Sequence, residues 1–371
     1  NKMNTKLKFS ILAASCAALV VSSPASAREL IYSTFVSPEH HLVKNVVEPF
    51  TNAVKERTNG EITFKIYSGG SLAGAKETLA SVESGTVDAG FIIDIYTPAS
   101  LPQTALLSDL SLLIDDAVVA TAAMNETVLL DCAECRKSFE NHNVMPLGFL
   151  STSVYALQCT KPVTSLSDIA GLKVRATGAW APLMVELGAT PVSVPTSELF
   201  EGLQRGALDC SVGPIAHLPS YSLYEVVTDV NEMPMGAYAG GLSINLRKDI
   251  WDELSAEEKS MMLDIAPEYV AAGVFGYIDG DNKAKEEALS RGINWIPEAQ
   301  DIAAAYDEYN KAAIANAIEK GKGNAAIGDS EALVNAYVEN LKKWSEILKG
   351  KSDDQAFVAK ALREEIYSKL N

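Results

Sequence analysis

The segment from residue 171 to residue 214 contains the side chains best suited to bind a small molecule. Arg175 ends a short apolar run, and Trp180 follows it after a glycine-containing turn. The planar guanidinium of an arginine pairs with a carboxylate through two parallel hydrogen bonds, and an indole beside it can cover the rest of a small acid. The pattern therefore predicts a carboxylate site. Two roles that do not involve a ligand also stay open. Arg175 could form a buried salt bridge between two lobes of the protein, and Trp180 could pack against a helix.

Other candidate ligand contacts lie where predicted strands end. Tyr96 and Tyr155 each follow a strand, and each either touches the ligand or covers the core. His40 and His41 stand in the loop after the first strand, where they either donate hydrogen bonds to a ligand or cap a helix. Ser71 lies in a glycine-rich loop whose amides could face a cleft. The predicted ligand site comprises Arg175, Trp180, Tyr96, Tyr155, His40, His41, Ser71 and Gly213.

The sequence lacks the motifs of the common enzyme classes. There is no G-x-S-x-G elbow, no P-loop, no G-x-G-x-x-G and no H-E-x-x-H. His40 follows Glu39, but no further ligands cluster near them, so we expect no metal. The chain is therefore predicted to be a binding protein without catalytic residues or a cofactor.

The elements that must position these residues follow a repeated order. Residues 28–93 and 171–214 each alternate strand, helix, strand, helix and strand, which is typical of α/β folds. In open α/β sheets, ligands bind at the carboxyl ends of the strands. Further predicted strands at 144–150, 154–159 and 240–246 cross between the two halves, which favours a hinge and an interlobe cleft. Ser255 begins a capping box that opens a long helix to about residue 290.

The first residues indicate export. Three lysines among the first eight residues precede an apolar run that is too short to span a bilayer, and Ala-Ser-Ala follows at 25–27. We predict a signal peptide at 1–27 that is cleaved after Ala27, and a periplasmic mature chain without membrane insertion. Cleavage removes three lysines and no acid, which takes the net charge from −17 to about −20. Such a surface repels nucleic acid, so no nucleic-acid partner is expected.

Four cysteines follow the predicted cleavage site. Four cysteines allow three pairings. In an oxidising compartment we favour two structural disulfides, Cys132–Cys135 and Cys159–Cys210. Cys132 and Cys135 follow a helical stretch rather than a strand, which argues against a redox motif.

Several stretches, taken in their order and spacing, carry a family likeness. They are residues 69–77, 85–88, 168–175, 187–191, 203–209 and 249–255. From the signal peptide to about residue 350, the chain resembles the solute-binding proteins of tripartite ATP-independent periplasmic (TRAP) transporters, of the dicarboxylate-binding DctP type.

The resemblance implies a two-lobed α/β fold of the periplasmic-binding-protein kind, type II-like, with a long helix that bridges the lobes. Lobe I is expected at 28–150, completed by about 243–300, and lobe II at 151–242. C-terminal helices at 301–371 are expected to pack on the lobes. In the family, the arginine at the position of Arg175 pairs with the ligand carboxylate, and the closed receptor presents its ligand to a membrane permease.

The chain also departs from the family pattern. Many members carry an asparagine in the stretch that corresponds to 209–214, where this chain has Gly213 and no asparagine. Some members carry a second arginine near 153–155, where this chain has none. Specificity for dicarboxylates or sialic acid is therefore not carried over.

We therefore expect a monomeric periplasmic receptor that captures a small organic acid and delivers it to a TRAP permease. The alternative ligand is a small amine or zwitterion held in an aromatic and acidic cage. A role in feeding a sensor kinase also stays open.

Overall fold

The computed structural model describes residues 27–370, so nearly all of the predicted signal peptide lies outside the described residues. The strands are β1 (Arg28–Ser33), β2 (Ile62–Tyr67), β3 (Ala89–Gly90), β4 (Ile92–Ile93), β5 (Val144–Leu150), β6 (Ala156–Cys159), β7 (Lys173–Arg175), β8 (Thr190–Val192), β9 (Cys210–Gly213), β10 (Asp229–Asn231), β11 (Gly241–Arg247) and β12 (Asn294–Ile296). The α-helices are α1 (Glu48–Arg57), α2 (Thr78–Glu83), α3 (Pro102–Ser108), α4 (Ala117–Glu126), α5 (Ala133–Asn141), α6 (Leu166–Ile169), α7 (Trp180–Glu186), α8 (Leu199–Gln204), α9 (His217–Ser220), α10 (Lys248–Glu253), α11 (Ala256–Ser290), α12 (Gln300–Asn310), α13 (Ala313–Lys322), α14 (Ser330–Ile347) and α15 (Gln355–Glu365).

Lobe I contains two three-stranded sheets. β1 lies between β2 and β3 and is parallel to both, as expected where helices connect the strands. β11 lies between β4 and β5 and is antiparallel to both. Since β11 comes after lobe II in the chain, this sheet brings the chain back into lobe I.

Lobe II contains one six-stranded sheet in the order β12-β10-β6-β9-β7-β8. β7 is parallel to β8 and β9, so their carboxyl ends meet at one edge. β12 adds to this sheet beside β10, although its position in the sequence falls in the range assigned above to lobe I. The predicted disulfide Cys159–Cys210 joins directly opposed residues of β6 and β9, and Cys132–Cys135 closes the start of α5. Both predicted pairings are therefore confirmed.

Two extended segments, around residues 152–155 and 235–238, run side by side from one lobe to the other. The amide of Thr152 donates to the carbonyl of Tyr238 at 2.8 Å, and the amide of Tyr155 donates to the carbonyl of Gly236 at 2.7 Å. The amide of Met235 returns a bond to the carbonyl of Tyr155 at 3.0 Å. Because the crossing backbones pair with each other, their buried polar groups are satisfied at the hinge.

The long helix α11 bridges the two lobes. Ser255 and Glu258 form the predicted capping box at its start. Its 35 residues extend over about 52 Å. The first part packs in the main core, whereas Ala284 and Ala288 belong to the smaller lobe II core. Where α11 passes the start of α9, Gly280 has no side chain, and a Cβ there would lie 3.1 Å from the Cβ of Ala216.

The C-terminal helices pack on the rest of the chain. α14 packs on α4, and α15 packs on α11. The indole of Trp344 donates to the buried Glu126 at 2.6 Å, and the hydroxyl of Tyr367 donates to the carbonyl of Leu147 at 2.7 Å. The 53% helical content fits this all-helical end of a mixed α/β chain. Within residues 27–370, no helix combines the length and the apolar character that a membrane crossing requires.

Candidate functional site

A buried cavity lies between the lobes, at the carboxyl ends of the parallel strands. Lobe I, lobe II, the crossing segments and α11 all contribute to its wall. Its volume of about 40 Å³ exceeds the roughly 10–15 Å³ that one buried water needs, but it is far below the roughly 300 Å³ at which ligand pockets begin. An organic acid would therefore need the lobes to stand further apart than they do here. The lining residues are Phe35, Phe91, Ile93, Ile95, Tyr96, Leu150, Thr152, Tyr155, Arg175, Thr177, Thr196, His217, Tyr221, Tyr238 and Tyr277.

Arg175 supplies the positive charge of the cavity. It ends β7 and is only 2 % exposed. Its Nε donates to the carbonyl of Val194 at 3.0 Å, and its Nη2 donates to the hydroxyl of Tyr96 at 3.0 Å. Among the described residues, no carboxylate forms an ion pair with it. A buried guanidinium without a counter-ion is costly, and an anion in the cavity would offset that cost.

Aromatic rings form much of the wall. The rings of Phe35 and Phe91 stack with centroids 5.6 Å apart. Tyr155 stacks on Trp180 at 4.3 Å, and the indole of Trp180 donates to the carbonyl of Met235 at 2.6 Å. Trp180 therefore supports Tyr155 from behind, and it fixes the crossing segment at the same time.

Asp94 holds another wall residue in place. It accepts a hydrogen bond from the hydroxyl of Tyr238 at 2.8 Å and one from Ser108 at 2.9 Å. Burial raises the pKa of Asp94 to about 6, and these hydrogen bonds oppose that rise. The carboxylate does not line the cavity, so it positions Tyr238 rather than facing a ligand.

Three of the four histidines lie close together on one side of the cavity. The rings of His40 and His41 lie 4.1 Å apart, and His41 meets Tyr277 at 3.8 Å. Burial lowers the pKa of His41 to about 3, and burial together with the neighbouring histidines lowers that of His40 well below its usual value. The third, His217, lines the cavity itself, and burial followed by the nearby Arg175 lowers its pKa well below the usual value. All three imidazoles are thus neutral.

Asp281 of α11 lies against the segment that carries His217. It accepts the amide of Ala216 at 2.7 Å, directly before α9. Burial raises the pKa of Asp281 to about 7. The long helix therefore anchors the start of α9.

The eight residues predicted for the site divide into three groups. Arg175, Tyr96 and Tyr155 line the cavity. Trp180, His40 and Gly213 are buried next to it and His41 is half-buried, and all four lie outside its lining. Ser71 is exposed in its loop and lies outside the lining, because the turn that contains it points to solvent.

Most of the remaining wall was missed by the sequence analysis. His217 begins α9, Tyr221 directly follows that helix and Tyr277 lies in α11, and no sequence motif marks any of the three. Tyr238 comes from the returning crossover, and its place near the hinge, where ligands bind, makes it a weaker candidate from the sequence alone. For metals, the described residues contain no group of three or more His, Cys, Asp or Glu side chains arranged to hold an ion.

Solved structures with similar folds are bacterial transport receptors. A TRAP solute-binding protein from Rhodoferax ferrireducens, in complex with copurified benzoate, matches with a TM-score of 0.77 at 18% identity, over 86% of this chain and 99% of that one. A TRAP periplasmic solute-binding protein from Bordetella bronchiseptica, with bound (R)- and (S)-mandelate, matches with a TM-score of 0.73 at 21% identity, over 85% and 99%. These likenesses confirm the predicted two-lobed fold.

Sequence relatives agree with the structural match. The 2,3-diketo-L-gulonate-binding periplasmic protein of Escherichia coli is 24% identical over 81% of this chain and 97% of its own. The ectoine-binding periplasmic protein of Halomonas elongata is 23% identical over 60% and 65%. The family model of the bacterial extracellular solute-binding proteins, family 7 (DctP), matches residues 32–320. The protein is thus a solute-binding receptor and not an enzyme, and it belongs to the DctP family of TRAP solute-binding proteins.

Proposed function

We propose that this receptor captures a small monocarboxylic acid with an aromatic or other apolar body, and delivers it in the periplasm to a TRAP permease. The observation that carries the proposal is Arg175, a buried guanidinium that faces the cavity without a carboxylate partner among the described residues. A carboxylate would supply the missing charge and accept two parallel hydrogen bonds.

The rest of the cavity favours one charge and an apolar body. Arg175 is the only lysine or arginine among the described residues that line it. A second carboxylate would therefore be buried without a cation, which is costly. The rings of Phe35 and Phe91, together with Ile93 and Leu150, offer apolar surface to the remainder of the ligand. Benzoate and mandelate, which two similar structures contain, have this composition.

The same wall argues against an amine. No Asp or Glu of residues 27–370 lines the cavity, and Asp94 is already engaged by Tyr238 and Ser108. The aromatic half of a cation cage is present, but the acidic half is missing.

Closure would be coupled to the ligand through Arg175. This residue stands on lobe II, and Tyr96, which accepts its hydrogen bond at 3.0 Å, stands on lobe I. A ligand can shift the lobes toward the closed state only by contacts that this state makes better. A carboxylate held by Arg175 and covered by Tyr96 makes such contacts only when the lobes meet.

The test is a binding panel on ligand-stripped protein, measured by thermal shift and then by calorimetry. The panel contains benzoate, phenylacetate, succinate, a primary amine and ectoine. A ligand at about 100 times its Kd adds about 2.7 kcal/mol to stability, which gives a clear shift. We expect binding of the aromatic monocarboxylates. Binding of the amine or of ectoine alone would refute the proposal and favour the cation or zwitterion receptor instead.

A further inference from the structure

His217 occupies space that a missing side chain leaves open. It begins α9 and is 4 % exposed, and its ring lines the cavity. Gly213 lies at the end of β9, and a Cβ built there would fall 2.6 Å from the Nδ1 of His217. Any other residue at 213 would therefore displace the imidazole. Because Ser211 of β9 pairs with Arg175 of β7, the imidazole and the guanidinium share one edge of the lobe II sheet.

One polar atom at this end of the cavity lacks a partner among residues 27–370. It is the Nδ1 of His217, which is buried without a hydrogen bond, whereas the hydroxyl of Thr196, which also lines the cavity, has the hydroxyl of Tyr221 beside it. The ring of Tyr221 packs edge-to-face against the imidazole, with ring centroids 5.0 Å apart, and restricts its sideways movement. Unpartnered polar atoms are costly in a protein interior, and most of those in native structures have a function or a missing partner.

The charge state of His217 decides what partner it can take. Burial and the neighbouring Arg175 hold its pKa well below the usual value, so the ring is neutral. A neutral imidazole donates from one nitrogen and accepts at the other. It therefore suits a hydroxyl group, which also donates and accepts, better than it suits a second carboxylate.

We propose that His217 is a specificity-determining residue, which hydrogen-bonds a hydroxyl group on the acid whose carboxylate Arg175 binds. This inference rests on the proposed function and narrows its ligands to hydroxy-substituted monocarboxylic acids. A site built to bond a substrate hydroxyl rejects the analogue that lacks it, because its own polar atoms are then left buried and unpaired.

The experiment compares matched pairs of acids by calorimetry. The 2-, 3- and 4-hydroxybenzoates are each paired with benzoate, and mandelate is paired with phenylacetate. For the wild-type protein we expect at least one hydroxy acid to bind tenfold or more tightly than its partner. In His217→Phe, which keeps a flat ring, that acid should weaken at least tenfold, whereas its deoxy analogue should change less than threefold.

Three further variants separate the possible causes. His217→Asn keeps a donor and an acceptor, so it should retain part of the preference for the hydroxyl, which a purely structural role would not predict. His142→Phe is the matched control, since His142 bonds Glu83 at 2.8 Å outside the cavity, and it should leave both affinities unchanged. Arg175→Met should weaken hydroxy and deoxy acids alike, which tests the carboxylate site independently.

Two outcomes would overturn the role of His217 alone. One is a wild-type protein that binds both members of every pair equally, and the other is a hydroxyl preference that survives in His217→Phe. Failure of the wild-type protein to bind any acid would refute the proposed function itself, and the role of His217 would fall with it.

Discussion

Replacing Arg175 with methionine tests the carboxylate site most directly. Methionine keeps the unbranched apolar stem and removes the charge and its donors. Truncating one member of a buried, hydrogen-bonded charge pair costs about 2–5 kcal/mol. Since about 1.4 kcal/mol corresponds to tenfold, affinity for the acid should fall roughly 30-fold to several thousand-fold. Calorimetry with the best acid of the panel measures this loss.

The stability of the ligand-free protein should respond much less. The variant loses the hydrogen bonds to Val194 and Tyr96, each worth about 1.5–3 kcal/mol for a charged donor. It also loses an unpaired buried charge, whose burial costs several kcal/mol. The two changes oppose each other, so the free energy of unfolding in urea should shift by less than about 2 kcal/mol in either direction.

Arg247→Met is the matched control, because that arginine is structural. Its guanidinium pairs with Asp88 at 3.2 Å and Asp249 at 2.7 Å, and its side chain is 21% exposed. Its loss should cost about 1 kcal/mol of stability, since such pairs are partly screened, and should leave binding within threefold. The reasoning about Arg175 is refuted if Arg175→Met binds the acid within fivefold of wild type. It is refuted equally if the ligand-free variant loses 3–5 kcal/mol, since that is the signature of a broken structural charge pair.

Two further predictions concern stability. Asp281 has a folded-state pKa of about 7 against an ordinary value of 3.8. Between pH 3.8 and pH 7 Asp281 keeps its proton only in the folded state. The stability that the protonated carboxyl contributes at low pH is therefore lost as pH rises, by up to about 4 kcal/mol. Urea unfolding at pH 5 and pH 7.5 should show a larger fall in the wild type than in Asp281→Asn, which keeps the smaller contribution of Asp94, whose pKa is about 6. Parallel changes in the two proteins would contradict the prediction. The disulfide Cys159–Cys210 spans 51 residues and Cys132–Cys135 only 3, so double alanine variants should lose about 4 and about 2 kcal/mol on chain-entropy grounds. Equal losses would count against that account.

The features that the sequence predicted well depend on neighbouring residues. The capping box of Ser255 and Glu258 is local, and it starts α11 where expected. Arg175 was placed at the end of a strand by the apolar run before it, and the carboxyl end of a parallel strand opens into the cleft in such folds. The count of cysteines and the compartment predicted disulfides but left three pairings open, and the favoured pairing is the one in the structure.

The rest of the wall depends on how distant elements meet. Tyr277 is 102 residues from Arg175 in the sequence, and its periodicity shows only that it lies on the buried face of a helix. The prediction for Trp180 shows the same limit. Trp180 lies close to the end of β7, as expected, but the hydrogen bond from its indole to the carbonyl of Met235 orients the ring behind Tyr155. Gly213 could not suggest His217, because the consequence of a missing side chain appears only when α9 folds over β9.

The strong negative charge of the chain does not exclude an acidic ligand. The net charge is −17, and most of the acids lie on the surface. At physiological ionic strength the Debye length is about 8 Å, so solvent screens most of these charges from the cavity. Arg175 is buried, and charges act more strongly in the low dielectric of the interior than in water. One unpaired guanidinium can therefore outweigh the distant surface field, which slows the approach of an anion but contributes little to its bound state.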